Sequence, residues 1–188
     1  MHTGQTLRTA RIKTKKLQVP VVGDDNVQLA LQSNLSMIQA LSVQIAVLEK
    51  SILKQIGPVP GFYYLKTASG IGNILAQTIL LETGDITRFK GPGNFASYCR
   101  CVDSRRESNG KKKGENNRKN GNRYLGWAFI EAANFAIQHS DKAKRFYLKK
   151  AKTTNPIVAR KTLAHKIARA CYWVMQNQED FNENLVFA

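Results

Sequence analysis

Acidic residues are scarce in this chain of 188 residues: 13 Asp and Glu stand against 29 Lys and Arg, which gives a formal net charge of +16. Such a surplus is unusual for a metabolic enzyme and indicates a polyanionic partner, either nucleic acid or an anionic membrane surface. The few carboxylates are scattered, and no group of them predicts the two-metal centre of a nuclease. We therefore expect no metal or other cofactor in this chain.

Cysteine and long apolar runs are also scarce. Three cysteines give no even disulfide framework, which is typical of a reducing cytosol, and the spacing of Cys99 and Cys101 does not suit zinc. No continuous apolar run approaches the roughly 18 residues of a membrane span, and the basic start of the chain lacks the apolar stretch of a signal peptide. The sequence predicts a cytoplasmic protein and favours nucleic acid over a membrane.

The positive charge is concentrated in two blocks. Residues 100–124 carry nine Lys and Arg against three acids, and residues 141–170 carry ten against one. A solvated face would mix the two signs, so the blocks predict a surface that contacts phosphates. A weaker alternative is that the basic helix 141–151 lies on a membrane. The predicted DNA contacts in the blocks are Arg105, Arg106, Lys111, Lys112, Lys113, Arg118, Lys119, Arg123, Lys161, His165 and Arg169.

The chain is predicted to be all-α and to have three parts. Residues 1–24 form a basic extended arm, residues 25–57 a coiled-coil-like helix, and residues 58–188 a helical domain after a Gly- and Pro-rich boundary. Between residues 27 and 53, apolar residues recur three or four apart, so they form one seam along a helix. This seam either folds onto the rest of the domain or joins a second copy of the chain; we expect a homo-oligomer.

A helix-hairpin-helix is predicted at residues 62–83, around the turn Ser69-Gly70-Ile71-Gly72. Glycines allow a tight turn, and the N–H groups at the start of the next helix can hold a phosphate oxygen. Gly70, Gly72 and Asn73 are the predicted DNA contacts there, with Gly72 expected at a positive φ. The alternative is an ordinary turn between two helices.

Residues 102–120 contain almost no apolar side chain and are predicted to be a loop, which either clamps phosphate or stays solvated. Ser104 and Ser108 lie among its cations. A serine there could attack a phosphodiester with the cations stabilising the added charge, although a hydroxyl that only binds phosphate is the commoner arrangement.

Several separate motifs occur in the order found in one family. The stretch from Leu65 to Phe89, then Phe95-Ala-Ser-Tyr98, Ser108-Asn-Gly-Lys111 and Lys119-Asn-Gly-Asn-Arg-Tyr-Leu125 together resemble the C-terminal transposase domain of the bacterial insertion-sequence 110/1111 family. The resemblance runs from about Pro58 to Ala188. It implies a helical domain in which Ser108 is the nucleophile of DNA transposition and recombination, with Ser104 as the rival.

The same resemblance implies partners that this sequence does not contain. Family members join the C-terminal domain, through a coiled-coil region, to an RNase-H-like domain with an Asp-Glu-Asp-Asp site for Mg²⁺, and a structured RNA guides the choice of target. No residue here matches the four acids. We therefore expect the chain to be nucleoid-associated but inactive without a metal-bearing domain. The alternative, from another class of function, is a nucleic-acid-binding module without catalysis.

Overall fold

The structure, a computed structural model, describes residues 24–102, 105–109, 111–115 and 120–187, and for 105–108 and 112–115 it describes the backbone alone. The predicted arm over residues 1–24 therefore lies almost wholly outside the described residues, as do Ser104, Arg118 and Lys119. The chain divides into two compact units, Met1–Gln55 and Ile56–Ala188.

The prediction of an all-α fold is confirmed. The described residues contain eight α-helices and one 3₁₀ turn, Ile86–Arg88. The helices are α1 Asp25–Ile56, α2 Pro60–Leu65, α3 Asn73–Thr83, α4 Pro92–Tyr98, α5 Arg123–His139, α6 Asp141–Thr153, α7 Pro156–Asn177 and α8 Glu183–Val186.

Helix α1 begins at the carboxylate of Asp24, which accepts the backbone N–H groups of Asn26 (2.8 Å) and Val27 (3.3 Å). Its predicted apolar seam is open to solvent within the chain: Leu41 and Leu48 are each 61% exposed. Since isolated helices gain little stability from propensity alone, an exposed apolar seam of this length indicates a surface made for packing.

Helix α1 is also long and apolar enough, by length and composition alone, to cross a membrane. The sequence prediction that no segment reaches that length was therefore too strict. Eight Gln, Ser and Asn residues lie between Val27 and Leu48, and their amides and hydroxyls are costly to place in hydrocarbon. This composition suits a seam between helices better than a lipid environment.

The core of the second unit is centred on α5 and α7, which pack against each other and against α3, α4 and α6. One face of α5 is fully buried; it consists of Leu125, Phe129, Ala132 and Ala136. Helix α5 is not buried all round, however, because Trp127 is half exposed.

On α7, the apolar face is buried: Leu163, Ile167, Cys171 and Val174 are at most 5% exposed. Tyr172 lies on a different face of α7 by helical spacing, but it is buried as well. It is 6% exposed, because its ring lies beside Phe95 and its hydroxyl donates to the Phe89 carbonyl at 3.3 Å. A long-range partner thus decides its position.

Helices α2 and α3 pack against each other and are joined by the predicted Gly-Ile-Gly turn. The glycine with the positive φ is Gly70 (+93°), where an added Cβ would lie 2.4 Å from the Ala132 carbonyl oxygen. Gly72 has φ −90° and is the N-cap of α3, so the expected positive φ at Gly72 is wrong. The first glycine lets the turn pack on α5, and the second starts the helix.

The predicted loop at residues 102–120 contains a β-hairpin, which corrects the sequence analysis. Strands β1 Arg105–Ser108 and β2 Lys111–Glu115 are antiparallel, with a register shift between Arg106 and Glu107. Asn109 has φ +54°, and Asn-Gly is a favoured two-residue hairpin turn. The turn chemistry and backbone pairing therefore fold a segment that has no alternating apolar pattern.

We expect Gly70→Ala to lower the free energy of unfolding by at least ~2 kcal/mol, since a Cβ combines an unfavourable positive φ with a clash against α5. Gly72→Ala is the matched control, because no described atom lies within 4 Å of its Cβ position. Urea unfolding of both variants measures the difference. Equal stabilities would contradict the packing described for the turn.

Candidate nucleic-acid interface

Ser108 is the last residue of β1, next to the hairpin turn. Its backbone pairs with that of Lys111 across the turn. Asn109 and Lys111 are exposed, and the extensive contacts of the described hairpin residues are those between the two strands themselves. The hairpin thus places Ser108 at a tip rather than in the helical core.

Both ends of the hairpin segment are fixed to the end of α4. The N–H of Cys101 donates to the Ala96 carbonyl at 3.0 Å, and the N–H of Asn122 donates to the Tyr98 carbonyl at 2.7 Å. This second bond needs a glycine before it: Gly121 has φ +90°, and an added Cβ would lie 2.4 Å from the Tyr98 carbonyl oxygen. The two ends are therefore held close together; we call this region the hairpin root, residues 96–102 and 121–122.

Arg100 connects the two sides of the hairpin root. Its Nε and one terminal nitrogen donate to the Gly121 carbonyl at 3.2 and 3.0 Å, and its own backbone has a positive φ of 55°. A guanidinium that gives two hydrogen bonds to one carbonyl fixes the orientation of both groups. Arg100 therefore stabilises the hairpin root by holding its two sides together.

Asn122 caps α5 and holds it to α3. Its Oδ1 accepts the N–H groups of Tyr124 (2.8 Å) and Leu125 (3.1 Å), and its Nδ2 donates to Glu82 Oε2 at 2.6 Å. An Asn immediately before an apolar helix is the sequence signal for the cap, but the bond to Glu82 depends on the tertiary fold. One side chain thus fixes where the chain leaves the hairpin root and enters the core.

Arg88 lies beside the hairpin root. Its guanidinium carbon is 4.5 Å from the centre of the Phe89 ring and 4.7 Å from that of Tyr98. A hydrogen bond from Arg88, followed by one with Asn122, lowers the pKa of the Tyr98 hydroxyl below its usual range. Sequence analysis missed Arg88 and Tyr98 as parts of the site because no local pattern connects them.

Three predicted DNA contacts share the solvent-facing side of α7: Lys161, His165 and Arg169. Burial and then the neighbouring Arg169 lower the pKa of His165 below its usual value of 6.5. His165 is therefore mostly neutral at pH 7, and it offers one donor and one acceptor rather than a positive charge.

The structure brings this face of α7 and the hairpin root together. Lys161 and His165 line an open cleft with Cys101 and Val102, the residues that lead into the hairpin. Arg123 is exposed at the start of α5, with its guanidinium 4.7 Å from the ring of Tyr124. Lys161 and His165 of the second basic block therefore lie beside the hairpin root, and Arg123 of the first block directly follows the root in the chain.

The turn containing Gly70 lies away from the hairpin root. It packs between Ala132 and Ala136 of α5, and Ala132 lies nine residues, about 14 Å of helix, from Arg123. Gly70 has a packing role, whereas Gly72 and Asn73 at the start of α3 are open to solvent. The sequence analysis predicted DNA contacts at all three residues, whereas the structure gives Gly70 a packing role and leaves Gly72 and Asn73 exposed.

The described residues offer little to hold a metal or to serve as a thiol nucleophile. No group of three or more His, Cys, Asp or Glu in the described part of the chain could hold a metal ion. Burial raises the pKa of the Cys101 thiol to about 12 and those of Cys99 and Cys171 well above their usual range. These neutral thiols are packing groups.

Comparison with known proteins finds a family to which part of this chain is similar. Residues 63–148 match the family model described as Transposase IS116/IS110/IS902 family. The matched segment includes α3, α4, the hairpin and its root, and α5. The match therefore covers the hairpin, its root and part of the helical core, and it ends before α7. Over these residues the chain is similar to the IS116/IS110/IS902 transposase family, which confirms the family resemblance found in its sequence.

A curated relative supports the same assignment. The chain is 30% identical over 129 residues to the "Insertion element IS110 uncharacterized 43.6 kDa protein" of Streptomyces coelicolor (strain ATCC BAA-471 / A3(2) / M145). The match covers 69% of this chain and 32% of the relative. The aligned part of the chain thus spans about a third of the length of that relative.

We expect Asn122→Ala to destabilise the domain more than Asn155→Ala. Both side chains cap a helix, but Asn155 accepts the N–H of Val158 at the start of α7, whereas Asn122 also bonds Glu82. Loss of a cap costs about 1 kcal/mol, and loss of the added bond to a carboxylate brings the cost at Asn122 to about 2–3 kcal/mol. Urea unfolding measures both values, and equal losses would contradict the role given to the Glu82 bond.

Proposed function

We propose that this chain is the DNA-binding part of an insertion-sequence transposase and contributes Ser108 as the nucleophile of DNA transposition, acting in the bacterial cytoplasm. The observation that carries the proposal is the position of Ser108 beside the turn of a hairpin whose two ends are held at one root, inside the segment that matches the transposase family. A tip can enter a DNA groove while its root stays in the protein core.

The charge distribution supports contact with the DNA backbone. Helix α6 buries only Ala143 among its 13 residues, and its exposed residues include Lys144, Arg145 and Lys149. Together with the cationic face of α7, these side chains form a surface that attracts phosphates without reading base sequence. The start of α3 adds open backbone N–H groups after Gly72, which suit a phosphate oxygen.

The proposed reaction exchanges one phosphoester bond for another. The Ser108 oxygen forms a bond to the phosphorus, the bond from phosphorus to the departing strand breaks, and the serine proton leaves while the departing oxygen gains one. Nearby cations stabilise the charge that develops on the phosphate. A serine hydroxyl needs a base or a metal to become a strong nucleophile. We infer that an RNase-H-like domain with Mg²⁺, and a guide RNA, complete the reaction.

The second candidate is a nucleic-acid-binding module without catalysis. It is favoured by the cationic side chains of α6 and α7 and by the open N–H groups at the start of α3, which suit phosphate without any catalytic group. Both candidates predict DNA binding, and they differ only in whether Ser108 forms a covalent bond to DNA.

The seam of α1 supports self-association. Leu41, Ile45 and Leu48 recur at helical spacing and are each more than half exposed, so a second copy of this helix offers a matching apolar surface. We propose a homo-oligomer formed through residues 27–53.

We expect tight binding of duplex DNA with little sequence preference and with a steep loss of affinity as salt increases. Replacing Lys111 and Arg169 by Gln should reduce the slope of log affinity against log salt by about 1.8, at about 0.9 for each phosphate contact. Fluorescence anisotropy at several salt concentrations measures the slope. Lys50→Gln with Lys54→Gln on α1 is the control with the same charge change, and a slope that the Lys111 and Arg169 variant leaves unchanged would contradict the proposed surface.

We expect the chain alone to cleave no strand. With a metal-bearing domain and guide RNA supplied, it should form a covalent protein–DNA adduct that Ser108→Ala abolishes while DNA affinity stays within about twofold, because one hydroxyl contributes little beside the charged contacts. Denaturing gel electrophoresis detects the adduct. Loss only in Ser104→Ala would move the nucleophile to Ser104, and survival in both variants would end the serine hypothesis.

We expect Leu41→Asp with Leu48→Asp to convert an oligomer into a monomer, because paired carboxylates cannot be buried in an apolar seam. Multi-angle light scattering gives the mass. Ser36→Asp with Val43→Asp is the control, since these positions are seven residues apart, as Leu41 and Leu48 are, and lie about 120–160° round the helix from both. An unmodified chain that is monomeric at tens of micromolar would show that the seam does not pair.

A further inference from the structure

An open cleft of about 220 Å³ lies between the hairpin root and the first half of α7. It is distinct from the hairpin tip that carries Ser108. Two of its residues come from the chain just before β1, and four come from one face of α7. The lining residues are Cys101, Val102, Val158, Lys161, Thr162 and His165.

The walls of the cleft are apolar although they face solvent. Val102 and Val158 are each 43% exposed, and the Cys101 thiol beside them is buried and neutral near pH 7. Exposed apolar walls favour a ligand with an apolar surface, because burying it removes both surfaces from water. The volume is below the roughly 300–1,000 Å³ of clefts that take drug-sized ligands, so the cleft suits a single ring system.

The polar groups of the cleft suit the edge of such a ring. The Thr162 hydroxyl donates to the Val158 carbonyl at 2.8 Å, so its oxygen is oriented as an acceptor. His165 is half-buried and predominantly neutral near pH 7, because burial and Arg169 lower its pKa; it can therefore donate through one ring nitrogen and accept through the other. Lys161 supplies positive charge at the same cleft.

We propose that this cleft binds one unpaired nucleobase of the DNA, with Val102 and Val158 against its faces and Thr162 and His165 at its edge. The proposal rests on the proposed DNA-binding function. A ring with polar edges and a flanking phosphate matches the apolar walls, the hydrogen-bonding groups and the nearby cations. A base stacked within a duplex cannot enter a cleft on a helix face, so the bound base must leave the stack.

This binding mode fits strand transfer. A strand that is joined to a new partner must first separate from its old one, and a base held in the cleft keeps that strand open next to the hairpin root. The cleft would therefore favour DNA with local unpairing over fully paired DNA, while the cationic surfaces bind both.

The test compares two duplexes of equal length and charge, one fully paired and one with a single unpaired 2-aminopurine. The unmodified chain should bind the second about tenfold more tightly at fixed salt, and binding should protect the 2-aminopurine from quenching by acrylamide. Val158→Trp fills the cleft without changing charge, so it should remove both the preference and the protection. Ile157→Trp is the matched control: Ile157 is the neighbouring residue, 75% exposed and outside the cleft lining.

Thermal unfolding of the two Trp variants establishes that both are folded. If the unmodified chain binds the two duplexes equally, or if Val158→Trp keeps the preference, the base-binding cleft is wrong while the proposed DNA-binding function stands. If no variant binds either duplex, the proposed function fails and the cleft fails with it. Loss of the preference in Val158→Trp alone supports the cleft.

Discussion

The hydrogen bond from the Asn122 N–H to the Tyr98 carbonyl, 2.7 Å long, is the constraint on which the rest of the site depends. It joins the end of α4 to the start of α5, so the segment that contains both strands begins and ends at one place. Two antiparallel strands satisfy this requirement, because a hairpin begins and ends at neighbouring points. Gly121 is needed for the approach, since any Cβ at this position would meet the Tyr98 carbonyl oxygen.

Packing of the helical core holds the hairpin root in place. Helices α5 and α7 bury their apolar faces against each other, with Phe129, Leu163 and Ile167 at most 1% exposed. The same packing leaves the cationic side of α7 facing solvent next to the hairpin root. A net charge of +16 opposes compaction through self-repulsion, so the fold depends on this apolar burial, and a polyanion relieves the repulsion. Stability and the proposed DNA binding thus depend on the same charge distribution.

Local sequence patterns predicted the all-α fold and the long first helix, because apolar spacing such as that on α1 depends on the helical period alone. They failed where long-range contacts decide the outcome. Gly70 and Gly72 are equivalent by sequence, but only Gly70 meets α5. Tyr172 is buried through a distant carbonyl. The hairpin was missed because its strands have no apolar alternation, although Asn109-Gly110 was a usable turn signal. The family resemblance selected Ser108 as the candidate nucleophile. Charge and spacing alone did not distinguish it from Ser104.

The central claim is that the hairpin root is a rigid part of the core, and amide hydrogen exchange measured by NMR in the full chain tests it most directly. The account predicts that the Asn122 amide exchanges about as slowly as that of Phe129 inside α5, because both are released only when the core opens. The Lys111 amide, near the exposed turn, provides the fast reference. Exchange of Asn122 as fast as that of Lys111 would mean that the root opens freely, and the account would be wrong.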